Sequence, residues 1–263
     1  MGVILLDVDG VLHVSGTPIA GAAEALRALR DAGHPLRLVT NNTTRPRARL
    51  ASELAGIGFD VAEDEIETTP FAAGRLLAGA RVFPLAMPAI HEDLARHVEL
   101  VEREAEVVLV GGADETDETN ATFGWSRLNA AFAELQDGAR LVCLHRNRWW
   151  ETAHGALLDA GAVVAGLEYA AGVEAEVVGK PSAAYFESAL AAIGAAPGEA
   201  TMVGDDIEAD VGGAKRAGLS AVLVRTGKFR AESLAAAEVE PDAVLDSVAD
   251  LPAWVAARAE SRA

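Results

Sequence analysis

The chain has 263 residues, 51% hydrophobic and 5% aromatic, with 22 Lys and Arg against 40 Asp and Glu and a formal net charge of −18. That is enough apolar chain for one large domain, or for one domain carrying a sizeable insertion, and it excludes a disordered tail. The acidic excess excludes broad binding to nucleic acid or to an anionic membrane, since either needs a basic face against a dense row of phosphates. Any anionic substrate must then be held by local positive charge. The single cysteine, Cys143, has no partner for an intramolecular disulfide, so a reducing compartment is expected. The opening MGVILLDVDG lacks a basic leader, and no stretch approaches the roughly 18 uncharged apolar residues of a membrane helix, so the expected location is cytoplasmic.

Short apolar strand patterns alternate with helical ones throughout, which defines an α/β chain. Residues 3–6 form a continuous apolar run, residues 20–32 repeat Ala and Leu at helical spacing, and Gly33 ends that helix. A second strand over 36–39 runs into TNN, a helix over 45–55 stops at Gly56 and Gly58, and a strand over 65–68 precedes a helix over 72–77. From Arg81 the alternation restarts as a five-element insert: strand 81–86, helix 90–98, strand 105–112, helix 121–135 and strand 139–145. A helix over 167–171, strand 176–180, helix 183–193, strand 200–206, helix 209–218, strand 220–227 and a last amphipathic helix ending near Arg258 complete the order. The pattern predicts a Rossmann-like, doubly wound parallel sheet from residues 1–80 and 150–263, interrupted by a smaller α/β domain over 81–149.

In an open α/β sheet ligands bind beyond the carboxyl ends of the strands. Four predicted strand ends carry DVDG at Asp7–Gly10, TNN at Thr40–Asn42, GKP at Gly179–Pro181 and GDD at Gly204–Asp206. Adjacent carboxylates resist joint ionisation, and a hard divalent cation resolves the conflict. Magnesium, which takes oxygen ligands and one or two carboxylates, suits Asp7, a group at Asp9 and Asp205. Asp7 and Asp9 stand two apart on an extended backbone and so face one side; one can attack phosphorus while the other moves a proton. Thr40, Asn41 and Lys180 supply donors and charge for phosphoryl oxygens. An isolated DxDG or GDD is commonly a solvated turn; the ordered set of four carries the reading.

These motifs, in this order, resemble the haloacid dehalogenase superfamily of phosphohydrolases over nearly the whole chain: DVDGVL its first motif, VTNN its second, VGKPS its third and VGDDIEAD its fourth. An insert between the second and third resembles the subfamily (IIA) with an α/β cap of the second type. The resemblance implies Asp7 as nucleophile and magnesium ligand, and Asp9 as acid/base that also ligates through its backbone carbonyl. It further implies Thr40, Asn41 and Lys180 at the phosphate, Asp205 on magnesium, Asp206 acting directly or through water, and Asp210 in the outer shell. A small phosphorylated substrate and a homodimer through the cap are implied as well. Some relatives that act on phosphorus–nitrogen and pyrophosphate bonds carry Ser where this chain has Asp9, the usual residue of ordinary family phosphatases. An ester leaving group needs that proton most.

Other classes fit less well. A phospho-accepting receiver module also combines acids, Thr and Lys on a parallel sheet, but is shorter and lacks a second Asp placed for proton transfer. Dehalogenation does not call for the magnesium-type acids Asp9 and Asp205. A GxxxxGK[ST] loop is absent, because Pro181 follows Lys180 and position 174 is Glu174. Cys143 in LVCLH is expected to be a buried, inert thiol, and the histidines show no ligand spacing. Arg146, Arg148, Trp149 and Trp150 follow the last strand of the insert; substrate selection by stacking and anion contacts stands beside plain packing as their role.

Overall fold

A computed structural model describes residues 2–114, 117, 121–152 and 155–260, with the side chains of Trp150, Glu151 and Thr152 outside the described set. The chain divides into two compact units, one of residues 1–40, 48–67 and 180–263, the other of residues 41–47 and 68–179.

The first unit is built on a six-stranded sheet. Its strands in chain order are β1 (Val3–Asp7), β4 (Leu36–Thr40), β5 (Ile66–Thr68), β13 (Ala200–Gly204), β14 (Ser220–Val224) and β15 (Ala243–Leu245), and a two-residue ribbon, β2 (His13–Val14) with β3 (Thr17–Pro18), stands beside it. The order across the sheet is β15-β14-β13-β1-β4-β5, and the pairs from β15 to β4 run parallel. β1 and β4 are buried along their whole length, as the uninterrupted apolar run of a strand covered on both faces requires. The helix Ala22–Asp31 buries Ala22, Ala25, Leu26 and Leu29, one stripe at helical spacing, against a core that includes Leu6, Leu38, Val203 and Val222. After β1 the chain winds outward to β4 and β5, then returns to place β13 on the other side of β1. The switch point therefore lies between β1 and β13, where a doubly wound sheet opens a crevice at its carboxyl edge.

The second unit has its own five-stranded sheet of order β12-β9-β8-β6-β7, formed by β6 (Arg81–Leu85), β7 (Glu99–Leu100), β8 (Val107–Val110), β9 (Arg140–Cys143) and β12 (Glu176–Val177). All its strand pairs are parallel. A hairpin of β10 (Trp149–Thr152) and β11 (Gly155–Leu158) stands apart from it. Phe83, Val108, Leu135, Cys143, Val164 and Leu167 share its core.

The sequence reading ended the insert at residue 149, whereas this unit continues to Gly179. Two observations explain the difference. β12 pairs with β9, Glu176 opposite Val142 and Val177 opposite Cys143, and the helix Ala160–Ala171 sends Ala160, Val164 and Leu167 into the second core. At its other end, the Arg47 guanidinium lies 3.4 Å from the Phe71 ring centroid and pairs with buried Asp93, which joins 41–47 to the segment after β5. The expected helix over 209–218 begins as a π-helix, Ile207–Gly212, before an α-turn, Gly213–Arg216, and the last segment is two helices, Ala231–Ala236 and Leu251–Glu260, flanking β15. Among the described residues no helix is long and apolar enough to cross a membrane.

Candidate active site

β1 and β13, the strands flanking the switch point, end in the residues that define the site. Asp7 closes β1 and is buried; Asp205 follows Gly204 at the end of β13 and is buried as well. Lys180 Nζ donates to Asp7 Oδ1 at 2.7 Å and to Asp210 Oδ1 at 2.7 Å, with its side chain only 3% exposed. One ammonium thus bridges two carboxylates from distant parts of the chain. Burial pulls the Lys180 pKa down, but Asp210 and Asp7 outweigh it and the net displacement is upward, so the ammonium stays charged.

Asp210 arrives through the π-helix. Val211 N–H donates to the Asp206 carbonyl five residues back, and this wider turn folds Asp210 toward the sheet, where its Oδ2 accepts from Asp206 N–H at 3.1 Å. Asp206 itself is an N-cap: its Oδ1 accepts from the N–H groups of Glu208 and Ala209, each at 3.0 Å. The two acids expected at the periphery thus separate, Asp210 buried against Lys180 and Asp206 holding the helix start.

Oxygens of Asp7, Asp205 and Asp210 lie within 4.8 Å of one another. Three carboxylates share one ammonium, and the consequence is visible in the acidities of Asp7 and Asp205. Burial is the largest influence on Asp7; Lys180 opposes it, Asp210 and Asp205 reinforce it, and the pKa stands at about 8. Asp205 is pushed up to about 6, mainly by burial, against the hydrogen bond from the Lys228 N–H. Asp205 Oδ1 is buried without a hydrogen-bond partner, a costly state for a carboxylate oxygen. An all-oxygen donor set with surplus negative charge and an unsatisfied oxygen fits a hard divalent cation. The backbone is shaped for it: a Cβ on Gly10 (φ +86°) or Gly227 (φ +59°) would fall within 1.9 Å of Asp205 Oδ2, so both positions demand glycine for contact as well as conformation.

The remaining expected residues are placed as follows. Thr40 closes β4 and is buried, and its carbonyl lies 3.1 Å from the Tyr185 hydroxyl, which also donates to the Glu67 carbonyl at 2.6 Å. Asp9 lies just past β1 with its side chain 62% exposed and its Oδ1 3.9 Å from His13 Nε2. Asn41 belongs to the second unit and is half-buried. Arg146 and Trp149 are exposed in that unit, Arg146 paired with Glu168 at 2.7 Å and Trp149 opposite Leu158 in the hairpin. Arg148 is exposed too, and its carbonyl accepts from Asp159 N–H; the Trp150 side chain lies outside the described residues.

Sequence reasoning missed a support layer beneath Thr40. Glu67 is fully buried, accepts from Ser188 Oγ at 3.0 Å and pairs with buried Arg37. The one signal for it was a single charge in each of two short strands, Arg37 in LRLVT and Glu67 in IET.

Two family models match the chain: haloacid dehalogenase-like hydrolase over residues 4–120 and HAD-hydrolase-like over residues 177–251. Among curated proteins, the phospholysine phosphohistidine inorganic pyrophosphate phosphatase of Xenopus laevis is 40% identical over 254 residues, covering 94% of this chain and 91% of its own. Among solved structures, the p-nitrophenyl phosphatase from Archaeoglobus fulgidus superposes with a TM-score of 0.86 at 30% identity, covering 95% of this chain and 98% of that one. A glycerol phosphate phosphatase from Mycobacterium tuberculosis, solved in complex with magnesium, gives 0.84 at 29% identity, covering 95% of this chain and 76% of its own. Both family models fall on the segments that carry the strand-end motifs, and the identity extends through the second unit between them. The chain is therefore an enzyme of the haloacid dehalogenase-like hydrolase family.

Proposed function

We propose that this enzyme is a magnesium-dependent phosphatase that hydrolyses a small phosphorylated metabolite through an aspartyl-phosphate on Asp7. The observation that carries the reading is the Asp7–Lys180–Asp210 cluster at the switch point, with an unsatisfied Asp205 oxygen beside it. Lys180 holds Asp7 Oδ1 and so orients the carboxylate that attacks phosphorus. A new O–P bond forms as the P–O bond to the leaving group breaks, and Asp9, at the open end of β1, protonates the departing oxygen. Water then attacks the same phosphorus and gives its proton to the Asp9 carboxylate. Asp7 departs with its electron pair, inorganic phosphate is released and both acids are restored.

Thr40, Asn41 and Lys180 hold the phosphoryl oxygens through hydroxyl, amide and ammonium donors. Asp7, Asp205 and the Asp9 carbonyl would hold a magnesium ion, with Asp210 positioning Lys180 and Asp206 fixing the helix start behind them. Magnesium bound there would supply charge stabilisation to the phosphoryl oxygens. The second unit serves as a cap of the second type, which excludes bulk water and selects the substrate, and Arg148, Trp149 and Trp150 are candidates for that selection.

A second reading, hydrolysis of phospholysine, phosphohistidine or pyrophosphate, is favoured by the name of the 40% identical relative. Asp9 favours esters instead, because an alkoxide needs the proton that a good leaving group does without. Phosphate release from glycerol phosphate, p-nitrophenyl phosphate, pyrophosphate and a phosphoramidate, with magnesium or chelator, decides between them. Esters cleaved fastest, only with magnesium, and not by Asp7→Asn support the proposal; a stably phosphorylated chain without turnover would replace it with a phospho-switch.

A further inference from the structure

Tyr185 is fully buried on the helix Ala183–Ala191, which follows Lys180 and Pro181. Its ring packs edge-on against Phe186, with centroids 5.9 Å apart. The hydroxyl lies 2.6 Å from the Glu67 carbonyl and 3.1 Å from the Thr40 carbonyl. Those carbonyls belong to neighbouring strands, β5 and β4, so one phenolic proton ties the carboxyl end of β4 to β5. Every residue of the arrangement belongs to the first unit.

For packing alone a second phenylalanine would serve, as the neighbouring Phe186 does. A buried hydroxyl costs free energy unless it is bonded, so what the oxygen contributes is the tie it makes. Burial pushes the Tyr185 pKa well above its ordinary 10.0, with Lys180 opposing, and the hydroxyl keeps the proton that carbonyl acceptors require. Five residues earlier, Lys180 Nζ donates to the Val39 carbonyl at 3.4 Å besides its bonds to Asp7 and Asp210. The consecutive carbonyls of Val39 and Thr40 are thus held by two residues of one short segment. β5 is anchored in turn: the Glu67 carboxylate accepts from Ser188 Oγ at 3.0 Å and from Arg37 Nε at 3.1 Å, while Arg37 also donates to the Asp64 carbonyl at 3.0 Å. A shift of the strand end that carries Thr40 breaks several of these bonds at once.

We infer that Tyr185 is a positioning residue, which through the Thr40 main chain fixes the reach of the Thr40 hydroxyl toward the phosphoryl group, in register with Lys180. This rests on the assignment of Thr40 and Lys180 to the phosphate above. Phosphoryl transfer is catalysed almost wholly by placement and charge, and a misplacement of about 1 Å can cost about 10²-fold.

Calorimetric binding of orthovanadate with magnesium measures the phosphoryl grip without turnover. Tyr185→Phe keeps the ring and its contact with Phe186, and should weaken vanadate binding by about tenfold. Thr40→Val should weaken it at least as much, through loss of a hydrogen bond to a charged group. The double variant should lose little beyond Thr40→Val alone, because residues acting through one contact are not additive. Ser188→Ala cuts an anchor of the Glu67 side chain and leaves the phenol in place; it should lower Tm yet hold vanadate affinity within about twofold. Losses that add in the double variant, no loss in Tyr185→Phe, an equal loss in Ser188→Ala, or no vanadate binding by the parent would overturn the inference. Hydrolysis of p-nitrophenyl phosphate by the parent is read separately: none, with the coupling between Tyr185 and Thr40 intact, would discard the phosphatase reading and leave the positioning role in place.

Discussion

Replacing Asp205 with Asn removes one carboxylate from a buried group that has more negative charge than its single ammonium balances. In the metal-free protein Asp205 stands at about 6 and Asp7 at about 8, both above the 3.8 of the unfolded chain. The folded state therefore retains protons that the unfolded state has released, and stability falls as pH rises from about 4 through 8. The rise of Asp205 from 3.8 to about 6 is alone worth about 3 kcal/mol, at roughly 1.4 kcal/mol per pH unit. A divalent cation binds the ionised form, so its effect runs the other way. At a hundredfold excess over its dissociation constant it adds about 2.7 kcal/mol, which at roughly 2–4 °C per kcal/mol raises Tm by about 5–10 °C. Scanning calorimetry with magnesium or chelator should show this rise at pH 8 and little of it at pH 5, where protons occupy the same oxygens. Asp205→Asn should raise the metal-free Tm at pH 8 and abolish most of the magnesium effect. A magnesium-induced rise equal at both pH values, or unchanged in Asp205→Asn, would mean that Asp205 does not bind the cation.

Asp9→Asn should lower kcat on alkyl phosphates by about 10²–10⁴-fold and affect p-nitrophenyl phosphate far less; steady-state rates on both esters check this, and equal losses would remove Asp9 as the general acid. Gly10→Ala should weaken magnesium binding sharply, because its Cβ would meet Asp205 Oδ2 at 1.8 Å; titration calorimetry with magnesium alone reads it, and unaltered affinity contradicts the assigned cation site. Lys180→Met leaves Asp7 and Asp210 buried without their cation and should cost about 3–5 kcal/mol, measured by urea unfolding in chelator; a loss below about 1 kcal/mol, the range of an exposed pair, would mean that the carboxylates do not depend on it.

The core sheet was legible because its strands are buried on both faces: VILLD at β1 and the apolar runs of β13 and β14 leave no other placement. The polar residues at the ends of β1, β4 and β13 stand out against such runs, so the strand-end positions of Asp7, Thr40 and Asp205 were legible without coordinates, whereas Lys180 follows a strand of the other sheet and was marked only by its GKP motif. The contact of Asp210 with Lys180 was not legible, because an α-helical spacing does not turn Asp210 toward Lys180 and a π-helix does. The helix Ala160–Ala171 was read only over its last turn, since Gly161 and Gly166 look like breakers. Gly161 is instead a point of close approach, where a Cβ would lie 2.4 Å from the Asn147 carbonyl. β12 was assigned to the wrong sheet because a two-residue strand carries no periodicity; only its pairing with β9 reveals where it belongs. The Arg37–Glu67–Ser188 network joins residues up to 151 positions apart, a separation that local patterning does not report.

In the proposed mechanism Asp7 carries the phosphoryl group during turnover. Rapid-quench mass spectrometry of the enzyme mixed with glycerol phosphate or p-nitrophenyl phosphate and magnesium tests it directly. A phosphoryl adduct should form on the peptide containing Asp7 and decay at rates compatible with turnover, and it should be absent in Asp7→Asn, which should also show no phosphate release. Steady hydrolysis by Asp7→Asn, or an adduct on any other residue, would contradict it.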